Sequence, residues 1–202
     1  MLNKDLRALM DGPIRSQVEK RIKEFRRTRN ADELFSELCF CLMTANFNAE
    51  RAIKIQGAIG DGFATLSEKQ LAKRLKQLGH RYPNARARYI VEARKHKKEL
   101  AIIVKKKGCD AREWLVKNVK GLGYKEASHF LRNVGYCDLA IIDFHIVDVL
   151  VKNRLIKEPK KLGKKEYIEI ELVLEKIAKE SDLTLDELDL YLWYMETGKV
   201  LK

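Results

Sequence analysis

Nothing in the 202-residue chain approaches the roughly 20 uninterrupted apolar residues that a membrane-spanning helix needs. The N-terminal segment interleaves Arg, Lys, Asp and Glu, so it contains no apolar core of a secretory signal. Cysteine is sparse. Cys39, Cys41, Cys109 and Cys137 include no C-x2-C pair and are not gathered like iron–sulfur ligands, so neither a metal nor a cofactor is expected. Cys39 and Cys41 lie inside the apolar run Leu38-Cys-Phe-Cys-Leu-Met43 and read as buried free thiols of a cytoplasmic protein. There is no internal repeat and no low-complexity tract. Strand signals are nearly missing: Leu139-Ala-Ile-Ile142 is apolar but short, and between Asp138 and Asp143 it reads as a linker.

What remains is helix and charge. The chain carries 41 Lys and Arg against 29 Asp and Glu, a formal excess of +12 that points to a polyanionic partner, with nucleic acid the leading candidate. The excess is local. Residues 152–165 hold seven basic side chains and one acid, whereas 166–189 hold nine acids and two lysines. That acidic stretch nets −7, so the rest of the chain carries +19. Apolar spacing predicts an amphipathic helix over 14–28 and a helix buried nearly all round over 33–45. Ser67 with Gln70 and Thr184 with Glu187 have capping-box spacing, and Gly79, Gly135 and Gly198 mark helix ends. Further starts are expected at Asn84, Asp110 and Asp143, with a long helix over 166–180. The fold class is therefore all-α, built from many short helices.

The most informative stretch is Val119-Lys-Gly-Leu-Gly-Tyr-Lys-Glu-Ala127, a Gly-x-Gly turn between two helices. Glycines permit positive φ and close backbone approach. The amides opening the second helix suit an anion such as a DNA phosphate. Alone, this turn is equally a plain helix hairpin.

The order of four segments is more specific. The hairpin with Lys125 resembles the helix-hairpin-helix of the DNA glycosylase superfamily, whose motif ends on a catalytic lysine. Ile142-Asp-Phe-His145 resembles the segment that brings that family's aspartate, here Asp143. Leu42-Met-Thr-Ala-Asn46 resembles the segment whose amide fills the gap left by a flipped base. Gly79-His-Arg-Tyr-Pro-Asn-Ala-Arg86 resembles the loop that wedges a bulky side chain, here Tyr82, between bases. The chain has no cysteine beyond Cys137 to build the iron–sulfur loop of endonuclease III-like members, and it begins directly with helices rather than a β domain. With its terminal Thr-Gly-Lys-Val-Leu-Lys, it is most similar to the second, mainly archaeal class of 8-oxoguanine DNA glycosylase/lyase.

That resemblance implies two helical subdomains flanking a DNA-binding cleft, about 31–135 and 1–30 with 136–202. It implies a monomer in a prokaryotic cytoplasm, associated with the nucleoid through its substrate, double-stranded DNA containing 8-oxoguanine. Lys125 would attack the sugar and Asp143 would stabilise positive charge on it. Gly121, Gly123, Asn46 and Tyr82 would contact DNA, and Trp193 with Lys202 would enclose the flipped base. Without the resemblance, Tyr82 reads as a surface tyrosine, Asn46 as a helix cap and Trp193 as core; His129 and His145 read as structural. An oxidised-pyrimidine glycosylase and a non-catalytic helix-hairpin-helix DNA-binding module stay open as alternatives.

Overall fold

The computed structural model describes residues 2–202. Among them the chain forms α1 (Leu2–Met10), α2 (Ile14–Phe25), α3 (Ala31–Thr44), α4 (Ala49–Ile59), α5 (Gly62–Thr65), α6 (Glu68–Gln77) and α7 (Pro83–Ala93). After a 3-10 turn at Arg94–His96 come α8 (Lys97–Ile103), α9 (Gly108–Asn118), α10 (Tyr124–Asn133), α11 (Phe144–Lys152), α12 (Lys164–Glu180) and α13 (Leu185–Thr197). No strand occurs among the described residues, so the class is all-α.

Side-chain caps set many of these boundaries. The Ser67 amide donates to Gln70 Oε1 at 3.0 Å while Ser67 Oγ accepts the Gln70 amide at 3.4 Å. Asn30 and Glu33 form the same reciprocal pair at 3.0 and 2.9 Å, and the Thr184 amide donates to Glu187 Oε2 at 2.9 Å. Such caps contribute about 1 kcal/mol each. Two expected N-caps are displaced. α7 begins at Pro83 with Tyr82 as N-cap, not at Asn84, because proline at the first helical position needs no N–H partner and already has helical φ. α9 begins at Gly108, which leaves Asp110 in the first turn, where the helix dipole favours its charge.

The chain divides into two units. One is contiguous, Thr28–Val134. Its centre is α3, buried without a break from Leu38 through Met43 and packed against α4, α7, α8 and α10. Fully burying such a Leu or Phe stabilises by about 1.5–3 kcal/mol. Three buried polar side chains here are linked. Asn133 Nδ2 donates to Glu37 Oε1 at 2.7 Å, and Asn133 Oδ1 accepts from Arg132 Nε and Nη2 at 3.0 and 2.9 Å.

The other unit joins the chain up to Arg27 with Gly135–Lys202. Here α13 packs against α1, α2, α11 and α12. Asp186, fully buried in the first turn of α13, meets Arg26 Nη2 at 3.3 Å. The run Leu139–Ile142 is a buried link without helix or ladder. Side chains of α12 take the place of a neighbouring strand. Tyr167 Oη donates to the Ala140 carbonyl at 2.8 Å and accepts the Ile142 amide at 3.1 Å, while Glu171 Oε2 accepts the Ala140 amide at 2.9 Å. This anchoring fixes the residue that follows, Asp143.

Candidate active site and nucleic-acid interface

The hairpin between α9 and α10 is shaped by one glycine more than the other. Gly121 has φ +92, and a Cβ there would lie 2.4 Å from Tyr89 Cδ2. Gly123 has the ordinary φ of −93 and serves as the N-cap of α10. Its amide donates to Glu126 Oε2 at 3.3 Å, so the protein's own carboxylate engages one of the amides that an anion would use. Leu122 between them is buried, which pins the turn to the core.

Lys125 stands in the first turn of α10. Its side chain is 23% exposed, and Nζ lies 3.9 Å from Glu126 Oε1. An amine so placed is reachable from solvent yet mostly enclosed. His129, one turn on, is buried with its ring edge-on to Phe40 at 5.5 Å, so it belongs to the core of its unit.

Asp143 is the N-cap of α11, and its Oδ1 accepts the Ile146 amide at 3.1 Å. The half-buried carboxylate thus sits at the positive end of a helix dipole. Phe144 next to it is 68% exposed, an unusual position for a ring to which the sequence alone assigns no role. It lies tilted against His145 at 3.9 Å between centroids, and His145 meets Trp193 edge-on at 5.0 Å. Trp193 is half-buried rather than core, and its Nε1 is enclosed without a hydrogen-bond partner. Gly198, at φ +70, ends α13, and the non-helical tail runs to a half-buried Lys202.

Asn46 lies just past the end of α3 in the left-handed region, at φ +54. It is exposed, as is Tyr82 at 37%. Arg86 lies close to both, donating from Nη2 to the Ala45 carbonyl at 2.6 Å with its guanidinium 5.7 Å from the Tyr82 ring. Burial pulls the Arg86 pKa down from its ordinary value. Neither Arg86 nor Tyr89 stands out as a support for this region in the sequence. Their spacing from Tyr82 along α7 was the only signal available.

The structure therefore places Lys125, Gly121, Gly123, Asn46 and Tyr82 on the contiguous unit and Asp143, Trp193 and Lys202 on the other. Among the described residues no three His, Cys, Asp or Glu side chains converge to hold a metal ion, and no helix is long and apolar enough to cross a membrane.

Comparison with known proteins adds a family. A family model described as 8-oxoguanine DNA glycosylase matches residues 18–183. A protein of Korarchaeum cryptofilum named 8-oxoguanine DNA glycosylase/AP lyase is 53% identical over 201 residues, spanning 98% of this chain and 96% of that one. The crystal structure of the Methanocaldococcus jannaschii 8-oxoguanine glycosylase/lyase with a 15mer DNA containing 8-oxoguanine matches with a TM-score of 0.97 at 51% identity, covering both chains completely. The 8-oxoguanine DNA glycosylase of Thermotoga maritima matches at 0.95 and 44% identity, covering 100% of this chain and 98% of that one. With a model that spans most of its length and relatives this similar end to end, the chain belongs to the 8-oxoguanine DNA glycosylase family.

Proposed function

We propose that the protein removes 8-oxoguanine from double-stranded DNA and then nicks the strand, with Lys125 as nucleophile and Asp143 as the charge-stabilising carboxylate. The observation that carries this reading is Lys125 itself, a mostly enclosed amine in the first turn of the helix that follows the Gly-x-Gly hairpin. Chain-length similarity to proteins named glycosylase/AP lyase supports it.

A base stacked in a duplex must first be extruded, at a cost of a few kcal/mol. Gly121 and Gly123 bring hairpin backbone to a phosphate, and Asn46 and Tyr82 occupy the vacated space. Trp193 and the tail at Lys202 enclose the base. As the glycosidic bond stretches, positive charge develops on the sugar, and the Asp143 carboxylate stabilises it. Neutral Lys125 contributes its lone pair to C1′ while the base leaves with the bond's electron pair and takes up a proton. Opening of the sugar gives a Schiff base, which acidifies a 2′ proton. Loss of that proton expels the 3′ phosphate by β-elimination, and water then releases the lysine. The protein acts as a monomer, in the nucleoid-bearing cytoplasm of a prokaryote.

Borohydride trapping on an 8-oxoguanine duplex tests this. A covalent adduct is expected with the native chain and none with Lys125→Gln. No adduct from the native chain, or an adduct from the variant, would overturn the assignment. Adducts only with oxidised pyrimidines would move the protein to that substrate, and DNA binding without any adduct would make it a non-catalytic module.

A further inference from the structure

Asn46 and Tyr82 come from turns far apart in the sequence, yet both are tied to one buried residue. Gly79, at φ +78, ends α6 and turns the chain so that His80 points inward, where it is 4% exposed. His80 Nε2 lies 3.0 Å from the Met43 carbonyl in the last turn of α3. His80 Nδ1 accepts the Tyr82 amide at 3.0 Å. The imidazole stacks on Phe47 at 4.1 Å, directly after Asn46. Arg51 closes the assembly, with its guanidinium 5.2 Å from the Phe47 ring and Nη2 donating to the Gly79 carbonyl at 2.8 Å.

We infer that His80 is a positioning residue, whose ring bridges the α3–α4 turn to the α6–α7 turn so that Asn46 and Tyr82 enter DNA as one rigid probe. The inference rests on the reading of this chain as a base-flipping enzyme. Its geometry dictates the proton's place. A backbone amide only donates, so Nδ1 must be the acceptor, and Nε2 carries the hydrogen given to Met43. Only the neutral ring satisfies both ends, and burial keeps it neutral by lowering its pKa, with the Arg86 and Arg51 charges acting in the same direction. The bridge also accounts for the left-handed backbone of Asn46. Asparagine tolerates that region better than most side chains, and it persists there where its surroundings over-determine it. Here Arg86 holds the Ala45 carbonyl on one side and His80 stacks on Phe47 on the other. Parting stacked bases takes work, which a yielding tip would lose to its own deformation.

Two substitutions cut the bridge at opposite ends. His80→Gln places an amide near the Nε2 position and loses the acceptor for Tyr82; His80→Asn keeps an acceptor near Nδ1 and loses the donor to Met43. The readout is the ratio of single-turnover 8-oxoguanine excision in an intact duplex to strand nicking at a preformed apurinic site, where no base has to be extruded. Each variant is expected to lower that ratio about tenfold, the equivalent of roughly one hydrogen bond. The loss should shrink when the lesion sits in an unpaired bubble. An unchanged ratio overturns the inference, whether both activities persist or both fall together. If the variants do not fold, acidifying the native chain protonates His80 and sets an N–H against the Tyr82 amide. The same ratio must then fall, and a flat profile refutes the bridge. If the native chain nicks apurinic sites but releases no 8-oxoguanine, it is the proposed substrate that fails.

Discussion

Alanine at Gly121 and alanine at Gly123 are equivalent changes to the hairpin motif but not to the structure. At Gly121 the new residue would stand at φ +92, a strained position costing about 1–3 kcal/mol. Its Cβ would lie 2.4 Å from Tyr89 Cδ2 and 2.9 Å from Cε2, so the half-buried ring must swing away. The ring would then give up part of its contact with the Arg86 and Arg88 guanidiniums, now 5.9 and 5.4 Å from its centre, at about 0.5–1 kcal/mol each. The total is about 2–5 kcal/mol, and in a chain of this size about 3 kcal/mol lowers the melting temperature by roughly 6–12 °C. Gly123 differs on every count. Its φ is ordinary, and a Cβ would meet only the side-chain atom Glu126 Oε2 at 3.3 Å, so that variant should lose less than about 1 kcal/mol. Calorimetric melts of the two variants make the comparison. Adding Tyr89→Ala to Gly121→Ala should recover the steric part and leave the backbone part, a coupling of about 1 kcal/mol in the double-mutant cycle. Equal melting shifts for the two alanine variants, or no coupling to Tyr89, would refute this account of the hairpin.

Asp143→Asn should keep the cap on α11, since asparagine caps as well as aspartate, and so leave stability within about 0.5 kcal/mol. Excision should nevertheless fall on the order of 100-fold or more, and single-turnover rates with full activity would remove the carboxylate's electrostatic role. Tyr167→Phe strips both the Ala140 carbonyl and the Ile142 amide of a buried partner and should cost about 2–4 kcal/mol in urea unfolding. His80 has a folded-state pKa below its unfolded value, so its contribution is complete above the ordinary imidazole range and disappears as pH falls through the lowered folded value. Between roughly pH 7 and pH 5 the native chain should therefore lose melting temperature faster than His80→Gln; parallel profiles would contradict the bridge.

Helices whose ends are set by local chemistry were legible in the sequence. Ser67 with Gln70, Thr184 with Glu187, Asp143 before Phe144 and Gly198 after Thr197 each place a boundary through atoms a few residues apart. Asn84 and Asp110 misled because either side chain can cap, whereas proline at the first helical position and an earlier turn at Gly108 decided the starts. α1, α4, α5 and most of α8 escaped notice, being defined as much by what they pack on as by their own pattern. The candidate site divides in the same way. Lys125 and Asp143 stand out because their motifs are contiguous. Tyr89 under Gly121, Arg86 on Ala45 and His80 on Met43 act across many residues of chain, and no local pattern encodes such partnerships. Trp193 stood between pocket and core on sequence grounds; its half exposure and its contact with His145 follow from how α11 meets α13.

The division of the chain also imposes an order in time. Thr28–Val134 is contiguous and emerges during synthesis with every one of its helices available to pack. The flanking unit cannot do this. α1 and α2 are made first, but the helix against which both pack, α13, follows the whole of the inserted unit. Until then Val18, Ile22 and Phe25, all buried in the finished fold, have no α13 to cover them. The hairpin lysine thus belongs to a part of the molecule that can mature early, and the capped aspartate to a part that must wait. A nascent chain halted after Val134 should already protect α3 and α10 from proteolysis while α2 remains open to cleavage.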